Sequence, residues 1–142
     1  MVQQYLCAVR KADQGVNPLF RFLGAVLTHA KNGEAHIELP VTAKLGQGAG
    51  VVAGGILATL ADEAMAHACM SILQEGQGTL TAEMNIRYLR PADPKKSGCL
   101  AATGKVVKPG RNFFVAEASI VNEQGKLLAT AGGTFWVREQ PC

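Results

Sequence analysis

The chain has 142 residues and a formal net charge of +3, and 48% of its residues are hydrophobic; this suits a single domain over residues 1–142 with a sizeable core. Its four cysteines, at positions 7, 69, 99 and 142, have no CxxC pair and no metal-ligand spacing, which argues against a disulfide or zinc framework and favours a reducing compartment. The first ten residues lack the apolar core of a signal peptide and no segment has the uncharged length of a bilayer span, so we expect a soluble, cytoplasmic protein without a membrane partner.

The N-terminal part of the chain is predicted to form a helical extension followed by a hairpin. Residues 2–12 have the spacing of a short amphipathic helix, and we assign residues 1–18 to this extension. Asn17-Pro18 is a helix-start signal. Asn32-Gly33 is typical of a tight turn between two antiparallel strands. These two strands are predicted at residues 25–30 and 35–39.

A long apolar helix is predicted from Ala53 to Leu73, after a glycine-rich loop over residues 42–52 that we expect to be flexible. The apolar residues recur at three- and four-residue spacing, and the opposite face of the helix is almost as apolar. Three ionisable residues lie within six positions, which excludes a membrane span. The helix is therefore expected to be the buried centre of the fold. The three ionisable residues are Asp62, Glu63 and His67.

Two adjacent carboxylates on this helix, Asp62 and Glu63, require an explanation. A buried carboxylate is unfavourable unless it is hydrogen-bonded, paired or at a wet edge. The two side chains point about 100° apart, so at most one lies deep in a given cleft while the other reaches solvent or a subunit boundary. The alternative is that both simply favour the helix macrodipole near its start.

Four further strands are predicted after the helix. The first alternates strictly, so that Leu80, Ala82, Met84, Ile86 and Tyr88 are expected on one face. Two strands, then one long helix, then four strands indicate an α+β fold, with an antiparallel sheet and the helix on its concave side. The four strands are predicted at residues 79–89, 99–107, 112–121 and 127–137.

Basic residues are concentrated between positions 87 and 111. Seven of the fourteen lysines and arginines lie there, opposed only by Asp93. Such a block is either an ordinary solvated surface or a docking site for a compact polyanion, because Arg and Lys form charge-assisted hydrogen bonds to phosphate. Nucleic acid is not expected as a partner, because the block has no interleaved aromatic residues and no recognition helix. The seven residues are Arg87, Arg90, Lys95, Lys96, Lys105, Lys108 and Arg111.

Four motifs together resemble the hotdog-fold acyl-CoA thioesterases, in particular the phenylacetate-degradation (PaaI-like) branch. They are the segment from Gly54 to Asp62, the segment Met84–Pro91, the Gly110-Arg111 turn and the final Ala-Thr-Ala-Gly-Gly-Thr-Phe strand. The resemblance covers about residues 20–138. It implies a six-stranded antiparallel sheet wrapped around one central helix, and a homodimer with shared sites at its interface, commonly assembled further into a homotetramer.

The resemblance also implies roles for four residues in hydrolysis of an acyl-CoA to an acid and free coenzyme A. Asp62 matches the catalytic carboxylate, which acts as general base or nucleophile. Gly54 matches the residue whose backbone N–H stabilises the oxyanion. Gln47 matches a residue that positions carbonyl or water, and Thr81 one that orients water. Taken alone, Gln47 is equally a solvated loop residue and Thr81 an ordinary strand residue. No metal or cofactor is implied.

Coenzyme A carries phosphate groups, which gives the basic block a specific interpretation. In the family, the nucleotide end binds near the strand ends and the Gly-Arg turn. We therefore assign Arg90, Lys108 and Arg111 as candidate CoA-binding residues, with Lys95 and Lys96 behind them. The acyl group itself, aryl or aliphatic, is left open.

One departure from the family pattern concerns Ala53, which stands where most relatives have His. His67 is not at a matching position to replace it, and we expect it to be a core or interface histidine. The loss of His keeps two alternatives open. If the protein is not a thioesterase, the first alternative is a non-catalytic acyl-CoA-binding hotdog protein. The second is a hotdog hydratase or dehydratase, although the sequence has no His–carboxylate pair that fits that chemistry.

Overall fold

The structure, a computed structural model, describes residues 1–11 and 13–139, so Cys142 and the predicted helix end at Ala12 lie outside the described residues. These described residues form three α-helices and six strands. The helices are α1 (Val2–Val9), α2 (Pro18–Leu23) and α3 (Gly54–Met70), and a 3-10 turn spans Ala43–Leu45. The strands are β1 (Val26–Lys31), β2 (Glu34–Pro40), β3 (Gln77–Tyr88), β4 (Cys99–Lys108), β5 (Phe113–Val121) and β6 (Leu127–Glu139).

The six strands form one antiparallel sheet in the order β1-β2-β4-β5-β6-β3. Helix α3 packs against its strands, and its apolar residues are buried between the helix and the sheet. Small side chains such as Ala61, Ala64 and Ala68 let the strands approach the helix from several directions. The predicted α+β hotdog fold, with a six-stranded sheet wrapped around a central helix, is confirmed.

Local sequence signals explain the entry to this sheet. The side chain of Asn17 caps α2 by accepting a hydrogen bond of 3.1 Å from the N–H of Phe20, and Pro18 occupies the first turn, where its missing N–H is harmless. Asn32 and Gly33 both have positive φ, at 54° and 79°, as a two-residue type I′ turn requires. Both predicted signals are confirmed.

Helix α3 and strand β4 approach unusually closely at Gly104. A Cβ added to Gly104 would overlap the backbone carbonyl of Ala64 and lie 2.7 Å from the amide nitrogen of Met65. Because both obstacles are helix backbone, neither can rotate away. Gly104 therefore sets the distance between the helix and the middle of the sheet.

The strict alternation predicted for the first part of β3 is wrong. Thr81 pairs with buried Phe135, whereas the next paired residue, Glu83, pairs with Thr134, so Ala82 is an extra residue in a β-bulge. Leu80 lies on the outer face and is 49% exposed, and Thr81 points inward to α3. Beyond the bulge, Met84 and Ile86 point inward as predicted.

Helix α3 ends at Met70, three residues before the predicted end. The Ser71 hydroxyl donates to the carbonyl of Ala68 at 2.7 Å and accepts from the N–H of Gly33 at 2.8 Å. Ser71 therefore closes the helix and ties it to the first hairpin.

The loop over residues 42–52 is held in place, in contrast to the flexibility that its glycines predict. Leu45 and Val52 are buried, and Gly46 and Val52 form a β-bridge. The N–H of Val52 donates to the carbonyl of Ala92, and the N–H of Ala53 to that of Leu45. These bonds fix the point at which the chain enters α3.

Candidate active site

The first turn of α3 presents free backbone donors. Its N-cap residue, Ala53, has no side chain that can cap the helix, and there is no acidic residue in the first turn. Among the described residues, nothing accepts a hydrogen bond from the N–H of Gly54 or Gly55. A helix N-terminus favours negative charge through these amides and the helix dipole. The Gly54 amide is therefore available to an anionic oxygen.

Tyr88 explains why residue 54 is a glycine. Its hydroxyl donates to the carbonyl of Gly54 at 2.8 Å, and a Cβ at position 54 would lie 3.2 Å from the tyrosine ring. The residue is exposed at the end of β3 and covers one side of the helix start. Sequence reasoning missed this role, because it treated Tyr88 only as part of the alternating pattern.

Gln47 lies in a cleft of about 310 Å³ that Gly54, Tyr88 and Arg90 also line. The side-chain carbonyl of Gln47 accepts a 2.6 Å hydrogen bond from the backbone N–H of Ala49, and the backbone N–H of Gln47 donates to the carbonyl of Val51. The loop thus orders the Gln47 side chain and leaves its amide NH2 group directed to no acceptor among the described residues. The structure brings Gln47 and Gly54 to one cleft.

Asp62 and Thr81 form a second part of the site. The Thr81 hydroxyl donates to Asp62 Oδ1 at 2.7 Å, so the carboxylate of the central helix is oriented by the inner face of β3. Asp62 is partly accessible, and its other oxygen has no partner among the described residues. This contact exists because of the bulge at Ala82, which turns Thr81 towards the helix.

The two parts of the site are separate within one chain. Gly54 and Asp62 are eight residues apart on α3, which places them about 12 Å apart along the helix axis and about 80° apart around it. Asp62 and Thr81 do not line the cleft that contains Gln47 and Gly54. The four residues that the resemblance indicates therefore form two pairs, not one constellation.

Comparison with known proteins identifies the family. Residues 49–129, more than half of the chain, match the family described as Thioesterase superfamily. The chain belongs to the thioesterase superfamily. The matched segment of this thioesterase starts before Gly54 and includes Asp62, Thr81, the strands β3, β4 and β5, and the first three residues of β6.

Relatives and solved structures agree with this family. The acyl-coenzyme A thioesterase PaaI of Escherichia coli is 33% identical over 78% of this chain and 76% of the relative. The 1,4-dihydroxy-2-naphthoyl-CoA hydrolase of Listeria monocytogenes is 26% identical over 83% of this chain and 94% of the relative. The solved E. coli PaaI structure has a TM-score of 0.78 and is 29% identical, and the match covers 87% of this chain and 86% of that one. A thioesterase family protein from Silicibacter pomeroyi has a TM-score of 0.83 and is 27% identical, and the match covers 97% of this chain and 96% of that one.

These findings confirm the expected PaaI-like hotdog thioesterase and the class of enzyme, a thioester hydrolase acting in general on acyl-CoA. In the described part of the thioesterase there is no group of three or more His, Cys, Asp or Glu residues with metal-binding geometry. No described helix is long and apolar enough to cross a bilayer.

The predicted CoA-binding residues of the thioesterase lie at two distant places. Arg90 follows the end of β3 and borders a groove of about 650 Å³ that Lys96 and Lys126 also line. Arg111 lies in a different groove, beside Gln77 at the start of β3, and Lys108 ends β4 nearby along the chain. The strand between these places has 12 residues, so its end Cα atoms are about 36 Å apart, at about 3.3 Å for each of the steps between them. The basic block is therefore not one surface within a chain.

Glu63, the neighbour of Asp62, is a carboxyl group whose surroundings shift its pKa. Burial, together with the negative charge of Asp62, raises the pKa of Glu63 to about 7, and the side chain of Asn17 partly opposes this. Its side chain is 22% exposed and lies 3.6 Å from His67 Nδ1. Glu63 therefore faces a polar pocket under the N-terminal segment, while Asp62 stays partly accessible, in keeping with the expectation that at most one of the two carboxylates lies deep.

That polar pocket is a chain of hydrogen bonds through a fully buried His67. Its Nδ1 lies 2.7 Å from the carbonyl of Glu63, and its Nε2 lies 3.1 Å from the hydroxyl of Tyr5. Because a carbonyl only accepts, Nδ1 carries the proton and neutral Nε2 accepts from Tyr5. The Tyr5 hydroxyl in turn accepts from the Asn17 amide at 3.0 Å. His67 is thus a satisfied core histidine, as expected, but the sequence did not indicate its partners.

The surroundings shift the titration of these groups in the directions that burial predicts. Desolvation lowers the pKa of His67, although its bond to the Glu63 carbonyl opposes this. Desolvation likewise raises the pKa of Tyr5, and Asn17 opposes that shift. The imidazole is therefore kept neutral, and it serves as a link between α3 and the N-terminal segment.

Proposed function

We propose that the protein is an acyl-CoA thioesterase in which Asp62 attacks or activates water at the thioester carbonyl, and the Gly54 N–H stabilises the resulting oxyanion. The observation that carries this proposal is the 2.7 Å hydrogen bond from Thr81 to Asp62, which holds a partly accessible carboxylate in one orientation. A thioester is already activated, so a positioned nucleophile and an oxyanion donor are the main requirements for its hydrolysis.

Each of the other residues has a defined part in this mechanism. Thr81 keeps Asp62 oriented, whether the carboxylate acts as general base or as nucleophile. Tyr88 holds the carbonyl of Gly54 and so fixes the direction of the neighbouring N–H groups. Gln47, in the same cleft, has a free amide group with which to bind the thioester carbonyl or water. If Asp62 acts as general base, it takes a proton from the attacking water and that proton goes to the departing CoA thiolate. If Asp62 acts as nucleophile, the thiolate leaves as a mixed anhydride forms, and hydrolysis of the anhydride by water releases the acid, restores the carboxylate and supplies the proton for the thiolate.

The separation of the two pairs supports a site that is shared between two chains. Strand β3 is at one end of the sheet, and its outer edge has no partner in the described chain. A long, exposed edge strand is a surface for pairing with another chain. A two-fold axis perpendicular to this strand would pair the two β3 copies antiparallel and add Asp62 and Thr81 of one chain to Gln47 and Gly54 of the other. We therefore propose a homodimer with two shared sites.

The same antiparallel arrangement gives the separated basic residues a common role. If β3 pairs with its two-fold copy, the start of one β3 lies near the end of the other. Arg111 and Lys108 of one chain would then approach the end of the interface that bears Arg90 of its partner. The proposal is that these residues, with Lys95 and Lys96 further out, bind the phosphates of coenzyme A through charge-assisted hydrogen bonds.

A homotetramer and a cytoplasmic location complete the proposal. Leu80, Trp136 and Phe113 are cross-strand neighbours on the outer face of the sheet, and they are 49%, 46% and 50% exposed. A cross-strand apolar row of this kind is a surface for a second dimer. Cys7, Cys69 and Cys99 are free thiols, which accords with a reducing compartment.

Release of free thiol from a panel of acyl-CoAs tests the proposed reaction. Asp62→Asn is expected to fold but to lower kcat by about 100-fold or more, the low end of what a positioned acid–base group contributes. Glu63→Gln is the matched control, since it makes the same change one position away, and we expect a much smaller loss. Equal losses in both variants, or normal turnover in Asp62→Asn, would contradict the assignment. Tight binding of acyl-CoA with no thiol release would instead support the non-catalytic alternative that Ala53 suggests.

A further inference from the structure

An apolar groove lies between the N-terminal helix α1 and the end of α3, outside the site described above. Its volume is about 630 Å³, which is within the range of small-molecule pockets. Tyr5 and Ala8 of helix α1 form one wall. The floor is Met70, the last residue of α3, with Leu73 just beyond it, and Thr79 near the start of β3 closes one end. No Asp, Glu, Lys, Arg or His side chain lines it in the described structure.

One end of the groove, at Thr79, lies near the residue that holds the candidate catalytic carboxylate. Thr79 and Thr81 are two residues apart on β3, before the bulge, so both face inward with Cα atoms about 6.6 Å apart. Thr81 holds Asp62 by the 2.7 Å hydrogen bond. Along α3, the distance from Asp62 to Met70 is eight residues, about 12 Å. An extended acyl chain of about this length, attached to a carbonyl at Asp62, can therefore reach the groove past Thr79.

The wall formed by α1 is fixed, although α1 is only eight residues long. The Tyr5 hydroxyl bonds to His67 on α3 and accepts from Asn17. Leu6 and Val9 on the inner side of α1 are buried in the core. These contacts hold Ala8 in place over the groove, so the position of α1 determines how much room the groove offers.

We propose that this groove binds the acyl chain of the substrate and that α1 sets its length, with straight aliphatic acyl groups preferred over aryl groups. The inference rests on the proposed thioesterase function and specifies its substrate. Apart from Tyr5, the lining offers no aromatic ring, and the Tyr5 ring already stacks on His67 with centroids 5.7 Å apart. An aryl group would find no free ring to stack on, whereas methionine, leucine and valine side chains accommodate a flexible chain.

The test compares kcat/KM for butyryl-, decanoyl- and phenylacetyl-CoA in the full-length protein. The wild type is expected to prefer decanoyl-CoA to butyryl-CoA by about tenfold or more, because each methylene in an apolar pocket contributes to transition-state binding. Ala8→Trp fills the groove and should reduce this decanoyl-to-butyryl ratio about tenfold. Gln3→Trp is the matched control, since Gln3 is exposed on α1 and does not line the groove, and it should keep the wild-type ratio.

The outcomes separate this inference from the reaction itself. If Ala8→Trp is poorly folded, Ala8→Leu should give an intermediate ratio in a folded protein. Hydrolysis with an unchanged ratio in Ala8→Trp and Ala8→Leu, or a wild-type preference for phenylacetyl-CoA, would overturn the groove assignment and leave the thioesterase function intact. An unchanged ratio with a smaller oligomer by light scattering would overturn it as well, and would make the groove an interface between copies. No hydrolysis of any acyl-CoA would overturn both proposals.

Discussion

Asp62 and Glu63 are adjacent carboxylates with different surroundings, and we propose different roles for them on that basis. Thr81 holds Asp62, which remains accessible. Glu63 lies under the N-terminal segment, where burial and the charge of Asp62 raise its pKa to about 7. A perturbed pKa often marks a functional residue, but here it marks the neighbour of the candidate base. The hydrogen bond from Thr81, not the titration, is the observation that supports Asp62 as the proposed catalytic carboxylate.

Thr81 is expected to act on catalysis only through the orientation of Asp62. Thr81→Val keeps the shape of the side chain and removes the hydroxyl that donates to Asp62 Oδ1. We expect kcat for an acyl-CoA to fall about tenfold or more, because a misplaced catalytic group forfeits much of the benefit of positioning. Thr81→Ser retains the donor and should keep most of the activity. Equal rates for Thr81→Val and Thr81→Ser would show that the hydroxyl has no such role.

The raised pKa of Glu63 predicts a pH-dependent stability. A carboxyl with a higher pKa in the folded state binds its proton more tightly there, so its effect is to reduce stability as the pH rises from about 4.5 towards about 7. Glu63→Gln resembles the protonated form and does not ionise. Its stability advantage over wild type should therefore grow between pH 5 and pH 8, by on the order of 2–3 kcal/mol.

Chemical denaturation of both proteins at a series of pH values, at one protein concentration, measures this difference. The lowered pKa of His67 also affects stability at acid pH, but His67 is present in both proteins and its effect largely cancels. A constant difference between pH 5 and pH 8 would mean that Glu63 is not buried as described.

At the scale of elements, the spacing of apolar residues predicted helix α3 and all six strands, because the buried faces of helices and strands produce characteristic periods in the sequence. The bulge at Ala82 was not predictable in this way. Leu80, Ala82 and Met84 continue an apolar alternation that a regular strand would satisfy, and only the pairing of β3 with β6 shows the extra residue. The orientation of Thr81 depends on that bulge. The sequence motifs thus indicated the residues of the candidate site. The hydrogen bond from Thr81 to Asp62 that organises the site depends on the pairing of β3 with β6, which the motifs do not show.

The close contact between β4 and α3 predicts a sensitive glycine. Gly104→Ala would place a methyl group against the backbone of Ala64 and Met65, and overpacking of this kind costs about 1–3 kcal/mol or more. Gly48→Ala is the control, because a Cβ at Gly48 has nothing within 4 Å, and it should change the free energy of unfolding by less than about 0.5 kcal/mol. Denaturation curves decide between them; equal stabilities would show that the helix and sheet can separate at this point.

At the scale of the whole molecule, one chain contains every residue of the proposed mechanism but does not assemble them. Asp62 with Thr81, and Gly54 with Gln47, lie on different parts of α3 and its surroundings. The family resemblance indicated a shared site, and the free edge of β3 offers a place for a second chain to pair. Sequence reasoning could not show the separation of the basic residues, since Arg90 and Arg111 are close in sequence and lie at opposite ends of β3.

The edge of β3 itself is open to a direct test. A proline in the middle of this strand, as in Asn85→Pro, should remove ladder hydrogen bonds and release an inactive monomer or an unfolded chain. Replacing the edge does not, however, show which residues each chain supplies to the site. Two point variants that each remove one half of the site distinguish a shared site from a site within one chain.

Asp62→Asn removes the carboxylate, and Gly54→Pro removes the N–H donor. Proline is tolerated at the first position of a helix, and Ala53 has φ −59° and ψ 135°, which a following proline accepts. Gly54→Ala is the matched control, because it adds the same Cβ against Tyr88 but retains the N–H.

We expect Asp62→Asn and Gly54→Pro each to be inactive alone, and Gly54→Ala to keep measurable activity. After verified subunit exchange in an equal mixture, about a quarter of the wild-type activity should return, because each mixed dimer contains one intact site. A site built within one chain would give no recovery, and a fully active monomer by light scattering would likewise contradict the shared site.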